Sequence, residues 1–261
     1  MKVACIQNGI KTGDVNENLK TFTNDLQFCN ENNVDIIVFP EMFATGFDYE
    51  NLLEHSKKTD SIIEDISSKL NDGALAILCL PENENNSVFN TIFAVTKEGI
   101  QIKYRKIFLF SPLKEDAYFS KGDFNIPILD FKGFKVSLHT CYEIRFPELF
   151  RVAAYNGSNI MIIPAIWPEF KKYHWLTLLR ARAIENQSYV IGCNAYEVKT
   201  PKKTLLCGHS AIFDPWGEAV GYIENTSKVL ISEISMDKIE DVKNKVPSLC
   251  DAKAFFTITK K

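Results

Sequence analysis

Three residues of this 261-residue chain pair a reactive side chain with one setting, the end of an apolar run: Glu41, Lys106 and Cys141. Cys141 ends the stretch from Lys135, in which Val136, Leu138 and Thr140 alternate with Ser137, His139 and Cys141 as strand residues do. Pro147 stands where a first helical residue tolerates proline, Leu149, Val152 and Ala153 continue a helical stripe, and Gly157 offers a left-handed stop. A thiol between a strand's end and a helix occupies the place where open α/β folds put their chemistry. A nearby cation or helix N-terminus would lower its pKa. The plainer reading is a buried cysteine packing as a small hydrophobe.

Glu41 closes the nearly all-apolar run from Val34 through Phe39-Pro40. An acid there can serve as general base and acid, or merely bond a loop. Lys106, within Tyr104–Phe110, is either a snorkelling surface lysine or, turned inward, a fixed cation for a developing oxyanion. Base, cation and thiol together are the parts of covalent acyl transfer.

These residues need rigid elements to hold them. Val3–Gln7, Val34–Glu41, Ala74–Glu82 and Asn159–Pro164 read as buried strands, and Val88–Thr96 with Ile100–Tyr104 as a hairpin around Gly99. Asp14 with Glu17, and Ser61 with Glu64, read as capping boxes opening two helices. A helix over His174–Asn186, further strands over Ser188–Cys193, Cys207–Phe213, Glu218–Ile223 and Val229–Ile234, and a short helix from Asp237 complete the pattern. Ile107–Asp123 is the irregular middle stretch. Continuous apolar strands alternating with four main helices predict an α/β fold with a two-layer sheet core flanked by helices.

Composition narrows the function. With 46% hydrophobic and 24% charged residues and a net charge of -3, the chain lacks the basic balance of a general nucleic-acid binder. No apolar run approaches a membrane span, and the start of the chain has no signal-peptide character. Seven scattered cysteines without a Cys-x-x-Cys pair argue against a disulfide framework or structural zinc and for a reducing, cytoplasmic setting. His139 invites a Cys–His dyad with Cys141, but side chains on one strand face are poorly aimed at each other for proton transfer. Cys207 and His209 are two ligands, short of a zinc site.

Phe39-Pro40-Glu41-Met42-Phe43-x-x-Gly46-Phe47, Tyr104-Arg105-Lys106-x-x-Leu109-Phe110 and Thr140-Cys141-Tyr142-Glu143-Ile144-Arg145-Phe146-Pro147 resemble the three catalytic blocks of the nitrilase (carbon–nitrogen hydrolase) superfamily. The likeness continues through Trp167-Pro168, His174–Gln187, Gly192–Asn194, Gly208–Ser210 and Pro215–Gly217, in order along most of the chain. It implies a four-layer αββα sandwich, formed by residues 1–261 as a single domain, with Cys141 as nucleophile, Glu41 as base and then acid, and Lys106 with the Tyr142 backbone N–H as oxyanion stabiliser. Glu115, in Glu115-Asp116-x-Tyr118, is similar to the superfamily's second glutamate, which holds the lysine and positions substrate. His139 departs from the apolar or glycine residue usual there.

The short chain and its blocks look most like the bacterial omega-amidase branch. That implies hydrolysis of omega-amides of 2-oxo dicarboxylic acids, such as 2-oxoglutaramate and 2-oxosuccinamate, with Phe43, Tyr142 and Trp167 as candidate pocket walls. The partners are a small amide and water, with no metal or organic cofactor. The reading kept beside it is another triad-bearing branch: deaminated-glutathione amidase, N-carbamoyl amino acid hydrolase or aliphatic amidase. From a different class, a non-catalytic binding protein on the same fold disagrees with the intact Glu–Lys–Cys set. The resemblance also implies a homodimer, packed through the helical layer, with the segment from about 237 to 261 reaching across and placing Phe255 and Phe256.

Overall fold

Alternation along the first strand, Lys2–Gln7, sets how the layers stack. Val3 and Cys5 enter one core with Ile36, Val38, Leu75 and Ile77, while Ala4 and Ile6 enter another with Ile37, Phe39, Ala76 and Leu78. Both faces are apolar because both are covered, hence the unbroken hydrophobic runs. The structure is a computed structural model and describes residues 1–253.

The first sheet runs in the order Lys228–Glu233, Lys2–Gln7, Ile36–Val38, Leu75–Glu84, Ser87–Thr96, Gly99–Arg105. Its Lys2–Gln7, Ile36–Val38 and Leu75–Glu84 strands are mutually parallel, and the flanking strands join antiparallel. The second sheet repeats the plan in the order Ala219–Tyr222, Ala211–Phe213, Tyr189–Asn194, Ile160–Ala165, Phe134–Leu138, Ile128–Phe131, again with three parallel strands inside. The sheets meet face to face: the Cys193 thiol of the second donates to the Val38 carbonyl of the first at 3.1 Å.

Helices Val15–Glu31 and Thr59–Lys69 cover the first sheet through Phe22, Leu26, Ile62 and Ile66. Helices Pro147–Tyr155 and Lys172–Asn186 cover the second through Leu149, Ala153, Trp175 and Leu179. The result is the four-layer αββα sandwich. Gly192 lets the last of these helices approach closely, since a Cβ there would lie 2.6 Å from Leu179 and 2.7 Å from Trp175.

Some elements differ from the sequence expectation. The second helix starts at Thr59, so Ser61 lies inside it and its hydroxyl donates to the Lys58 carbonyl instead of capping. The strand expected over Ala74–Glu82 runs from Leu75 to Glu84 and includes Pro81. Its parallel neighbour pairs only as far as Ile77, so Pro81 lacks a strand on that side and its missing N–H costs no ladder bond. Cys207 to Ser210 leave the expected strand because Gly208 and His209 take φ of +77° and +62°. A small sheet of Thr204–Leu206, Glu197–Lys199 and Ile10–Lys11 is unforeseen, its strands too short and polar to show a period. Beyond Met236, helices Met236–Lys245 and Ser248–Lys253 follow, the first burying Ile239 and Val242. Phe255 and Phe256 lie outside the described residues.

Candidate active site

Glu41, Lys106 and Cys141 each leave the end of a strand, and the sandwich brings those ends together. After Val38 the Phe39 N–H still bonds the Ile77 carbonyl at 3.0 Å, then the chain turns at Met42, where φ is +48°. Lys106 follows Gly99–Arg105 and donates its backbone N–H to the Asn90 carbonyl at 2.8 Å. Cys141 opens the 3₁₀ turn Cys141–Arg145 with φ of +43°, a left-handed conformation that costs a side-chain-bearing residue about 1–2 kcal/mol.

Glu143 holds that turn. Its carboxylate accepts from the Thr140 N–H at 2.7 Å, the Ile107 N–H at 2.7 Å and the Tyr104 hydroxyl at 2.7 Å. The Cys141 turn is thereby tied to the strand exit that carries Lys106. Burial pushes the Glu143 carboxyl up to about 7, against the pull of these donors.

At the centre, the Lys106 Nζ lies 2.9 Å from Glu41 Oε1 and 2.8 and 2.9 Å from the two oxygens of Glu115. None of the three residues is more than 2% exposed. Asn90 Nδ2 donates to Glu41 Oε1 at 2.9 Å and to Glu115 Oε1 at 3.0 Å. Glu41 Oε2 accepts the Ile166 N–H at 3.1 Å, Glu115 Oε2 the Phe110 N–H at 2.6 Å, and the Cys141 thiol donates to the Ile166 carbonyl at 3.8 Å.

Burial alone would lower the Lys106 pKa, yet Glu41 and Glu115 hold it well above the ordinary lysine value. Burial and the Glu41 carboxylate raise the Cys141 thiol, and Lys106 offsets only part of this. Cys141 therefore rests as a neutral thiol, contrary to the lowered pKa expected from its strand-to-helix setting. To act as a nucleophile it would need a base, and Glu41 is within hydrogen-bonding reach.

Above this group opens a cavity of about 450 Å³. Glu41, Lys106, Glu115 and Cys141 form its floor, with Phe47, Tyr49, Phe110, Tyr142, Trp167 and Phe170 among its walls. Arg145, Lys171 and Lys203 add positive charge to the lining.

Tyr142 and Trp167 thus stand where the sequence reading put them, and Phe43 does not. Glu41 turns toward the cavity, and the bend at Met42 carries Phe43 under the helix-covered face. There it packs at 4.7 Å from Phe39 and 5.3 Å from Phe22, fully buried. Asn90 escaped the sequence reading, although one amide in the apolar run Val88–Thr96 was a usable signal. Phe47, Phe110 and Arg145 lie within the three sequence blocks but were given no wall role there, and Tyr49, Lys171 and Lys203 carried no signal.

His139 is no partner for the thiol. Its ring stacks on Phe150 at 4.1 Å and its Nε2 meets the Ser137 hydroxyl at 3.1 Å. Burial and then the Arg182 charge lower its pKa to about 3, so it is neutral. His209 bonds the Tyr222 hydroxyl, and among the described residues no group of three or more His, Cys, Asp or Glu side chains could hold a metal ion.

Comparison with known proteins agrees with this geometry. The model of the carbon-nitrogen hydrolase family matches residues 2–244. The 2-oxoglutaramate amidase of Bacillus subtilis (strain 168) is 32% identical over 258 residues, covering 95% of this chain and 96% of that one. The omega-amidase YafV of Escherichia coli (strain K12) is 29% identical over 262 residues, covering 98% of each. Among solved structures, XC1258 from Xanthomonas campestris, a CN-hydrolase superfamily protein, superposes with a TM-score of 0.90 at 24% identity, covering 100% of this chain and 99% of that one. With a matching family model over nearly its whole length and the same fold, the chain belongs to the carbon-nitrogen hydrolase family.

Proposed function

We propose that the protein is a cysteine-dependent amidase that hydrolyses small carboxylate-bearing omega-amides, with 2-oxoglutaramate and 2-oxosuccinamate as its leading substrates. The observation that carries the reading is one buried ammonium shared by two carboxylates beside a thiol at the floor of an aromatic-walled cavity. The named relatives support the substrate class, and the cations of the cavity lining provide what a distal carboxylate needs.

The chemistry follows from the parts. Cys141 Sγ attacks the amide carbonyl as its proton passes to Glu41. Lys106 and the Tyr142 N–H receive the oxyanion, which requires only that the near-equal Glu115 contacts share one ammonium N–H. Collapse breaks the C–N bond, and Glu41 returns the proton to the departing nitrogen, because an amide anion is too poor a leaving group. Water then attacks the thioester while Glu41 takes its proton. The second collapse expels the thiol, reprotonated by Glu41, and frees the acid. Glu115 keeps Lys106 in place. No step calls for a metal or organic cofactor.

The proposal includes residues 1–261 as a single hydrolase domain, a cytoplasmic setting and a homodimer. Seven unpaired cysteines support a reducing compartment. Exposed Tyr173 and Ile184 on the outer helix Lys172–Asn186, with Trp216 exposed as well, support pairing through that layer. Among the described residues no helix is long and apolar enough to cross a membrane. A second reading, deaminated-glutathione amidase, is favoured by the volume and apolar walls of the cavity; a relative of that name is 27% identical over 230 residues.

The test is ammonia release across a panel of amides. Turnover of 2-oxoglutaramate above carbamoyl and glutathione-derived amides supports the first reading, and the reverse order overturns it. Cys141→Ala should abolish release with an unchanged circular dichroism spectrum.

A further inference from the structure

Asn90 lies fully buried in the Ser87–Thr96 strand and touches the proposed machinery on two sides. Its carbonyl accepts the Lys106 backbone N–H, and its Nδ2 donates to the same two oxygens, Glu41 Oε1 and Glu115 Oε1, that Lys106 Nζ meets. Its Oδ1 faces Cys79 Sγ at 3.2 Å, on the adjoining strand Leu75–Glu84. Burial and then Glu41 hold the Cys79 thiol protonated, so it donates to Oδ1. A flipped amide would turn its oxygen on two carboxylates and leave the thiol without an acceptor. The amide therefore has one stable orientation.

We propose that Asn90, oriented by Cys79, is a positioning residue that holds Glu41 through Oε1 and leaves Glu41 Oε2 for the Cys141 proton. This rests on the amidase reading for its kinetic consequences. Glu41 and Glu115 converge on one lysine, so the paired carboxylates need donors beyond its ammonium. Two N–H donors from Asn90 stabilise both charged forms, and by occupying Oε1 they make Oε2 the oxygen available to the thiol. The titratable groups around Glu41 are Lys106, Glu115, Cys141, Cys79 and Tyr49, and Lys106 is the only cation among them. Removing the Asn90 donors therefore leaves the two carboxylates with Lys106 alone on their Oε1 atoms and frees Glu41 to turn away from the thiol.

The experiment compares wild type with Asn90→Ala, Asn90→Ser, Cys79→Ala and Cys79→Ser in two assays against pH. One is kcat and KM for 2-oxoglutaramate. The other is alkylation of Cys141 by iodoacetamide, read on its peptide by mass spectrometry, which needs the base and no amide turnover. In Asn90→Ala, kcat should fall about 10- to 100-fold, up to the lower end of what a general base contributes, with KM changed less than about threefold. The acid limb of both profiles should move upward by about one pH unit or more. Cys79→Ala should move it the same way by less, and Cys79→Ser, which keeps a donor, should restore it. Loss of activity with an unmoved acid limb would make Asn90 merely structural and overturn the proposal. Identical behaviour of Cys79→Ala and Cys79→Ser would overturn the part given to Cys79. If Asn90→Ala does not fold, Asn90→Ser and the Cys79 pair decide the matter. If the wild type hydrolyses no amide, the amidase reading fails while the alkylation profiles still judge Asn90.

Discussion

The Tyr104 hydroxyl donates to the Glu143 carboxylate at 2.7 Å between the two sheets, joining the strand that leads to Lys106 with the turn that presents Cys141. Both side chains are fully or almost fully buried. The relative placement of nucleophile and cation therefore depends on one core hydrogen bond and the backbone donors around it. Tyr104→Phe should cost about 1.5–3 kcal/mol, the range for a hydrogen bond to a charged group. It should also lower kcat more than it changes KM, since the left-handed Cys141 turn loses a tether. Thermal unfolding and steady-state kinetics on one preparation check both.

The same carboxylate and the nearby imidazole give stability a two-signed pH dependence. Glu143 binds its proton more tightly when folded, with a pKa of about 7 against 4.5, so its contribution falls as pH rises from 4.5 through 7. His139 binds its proton less tightly when folded, about 3 against 6.5, so its contribution is full above 6.5 and is lost as pH falls toward 3. At 1.36 kcal/mol per unit, the His139 effect is on the order of 5 kcal/mol over the whole window. His139→Asn should be less stable than wild type at pH 8 yet lose less stability between pH 6.5 and 4. Denaturant midpoints measured across that range test it; parallel curves would refute the assignment.

Lys106 contacts two buried carboxylates, Glu41 and Glu115. Lys106→Met leaves both charges uncompensated and should cost about 3–5 kcal/mol, with at least a 100-fold loss of kcat. Adding Glu115→Gln should recover part of the stability and none of the activity, because it removes a charge without replacing the oxyanion donor. Melting temperatures of the single and double variants provide the measurement.

Substrate selectivity should divide among Arg145, Lys171 and Lys203. Single replacements by Met, assayed with 2-oxoglutaramate and with a neutral amide of equal length, should raise KM for the charged substrate alone at the residue that meets its carboxylate. The rise should be about 10- to 150-fold, matching 1.5–3 kcal/mol for a charge-assisted bond. An equal effect on both substrates would assign that residue to packing.

Local information carried far in this chain. An acid, a lysine and a thiol, each closing an apolar run, were visible as sequence because strand ends and burial leave a short-range pattern, and the unbroken apolar strands already implied cover on at least one face. Local information failed where a residue's neighbours came from elsewhere. Phe43 looked like a pocket wall because only the turn at Met42 sends it under the helices.

What the sequence determined by itself was therefore the set of candidate reacting groups and the layers that carry them. The tertiary structure decided that Lys106 is shared by Glu41 and Glu115, 65 and 9 residues away along the chain, with Asn90 donating to both. It also decided that the Cys141 thiol is raised, because burial and Glu41 outweigh the Lys106 charge and the Ile166 backbone hydrogen bond. Distance and desolvation are properties of the packed chain, and no spacing of residue types encodes them.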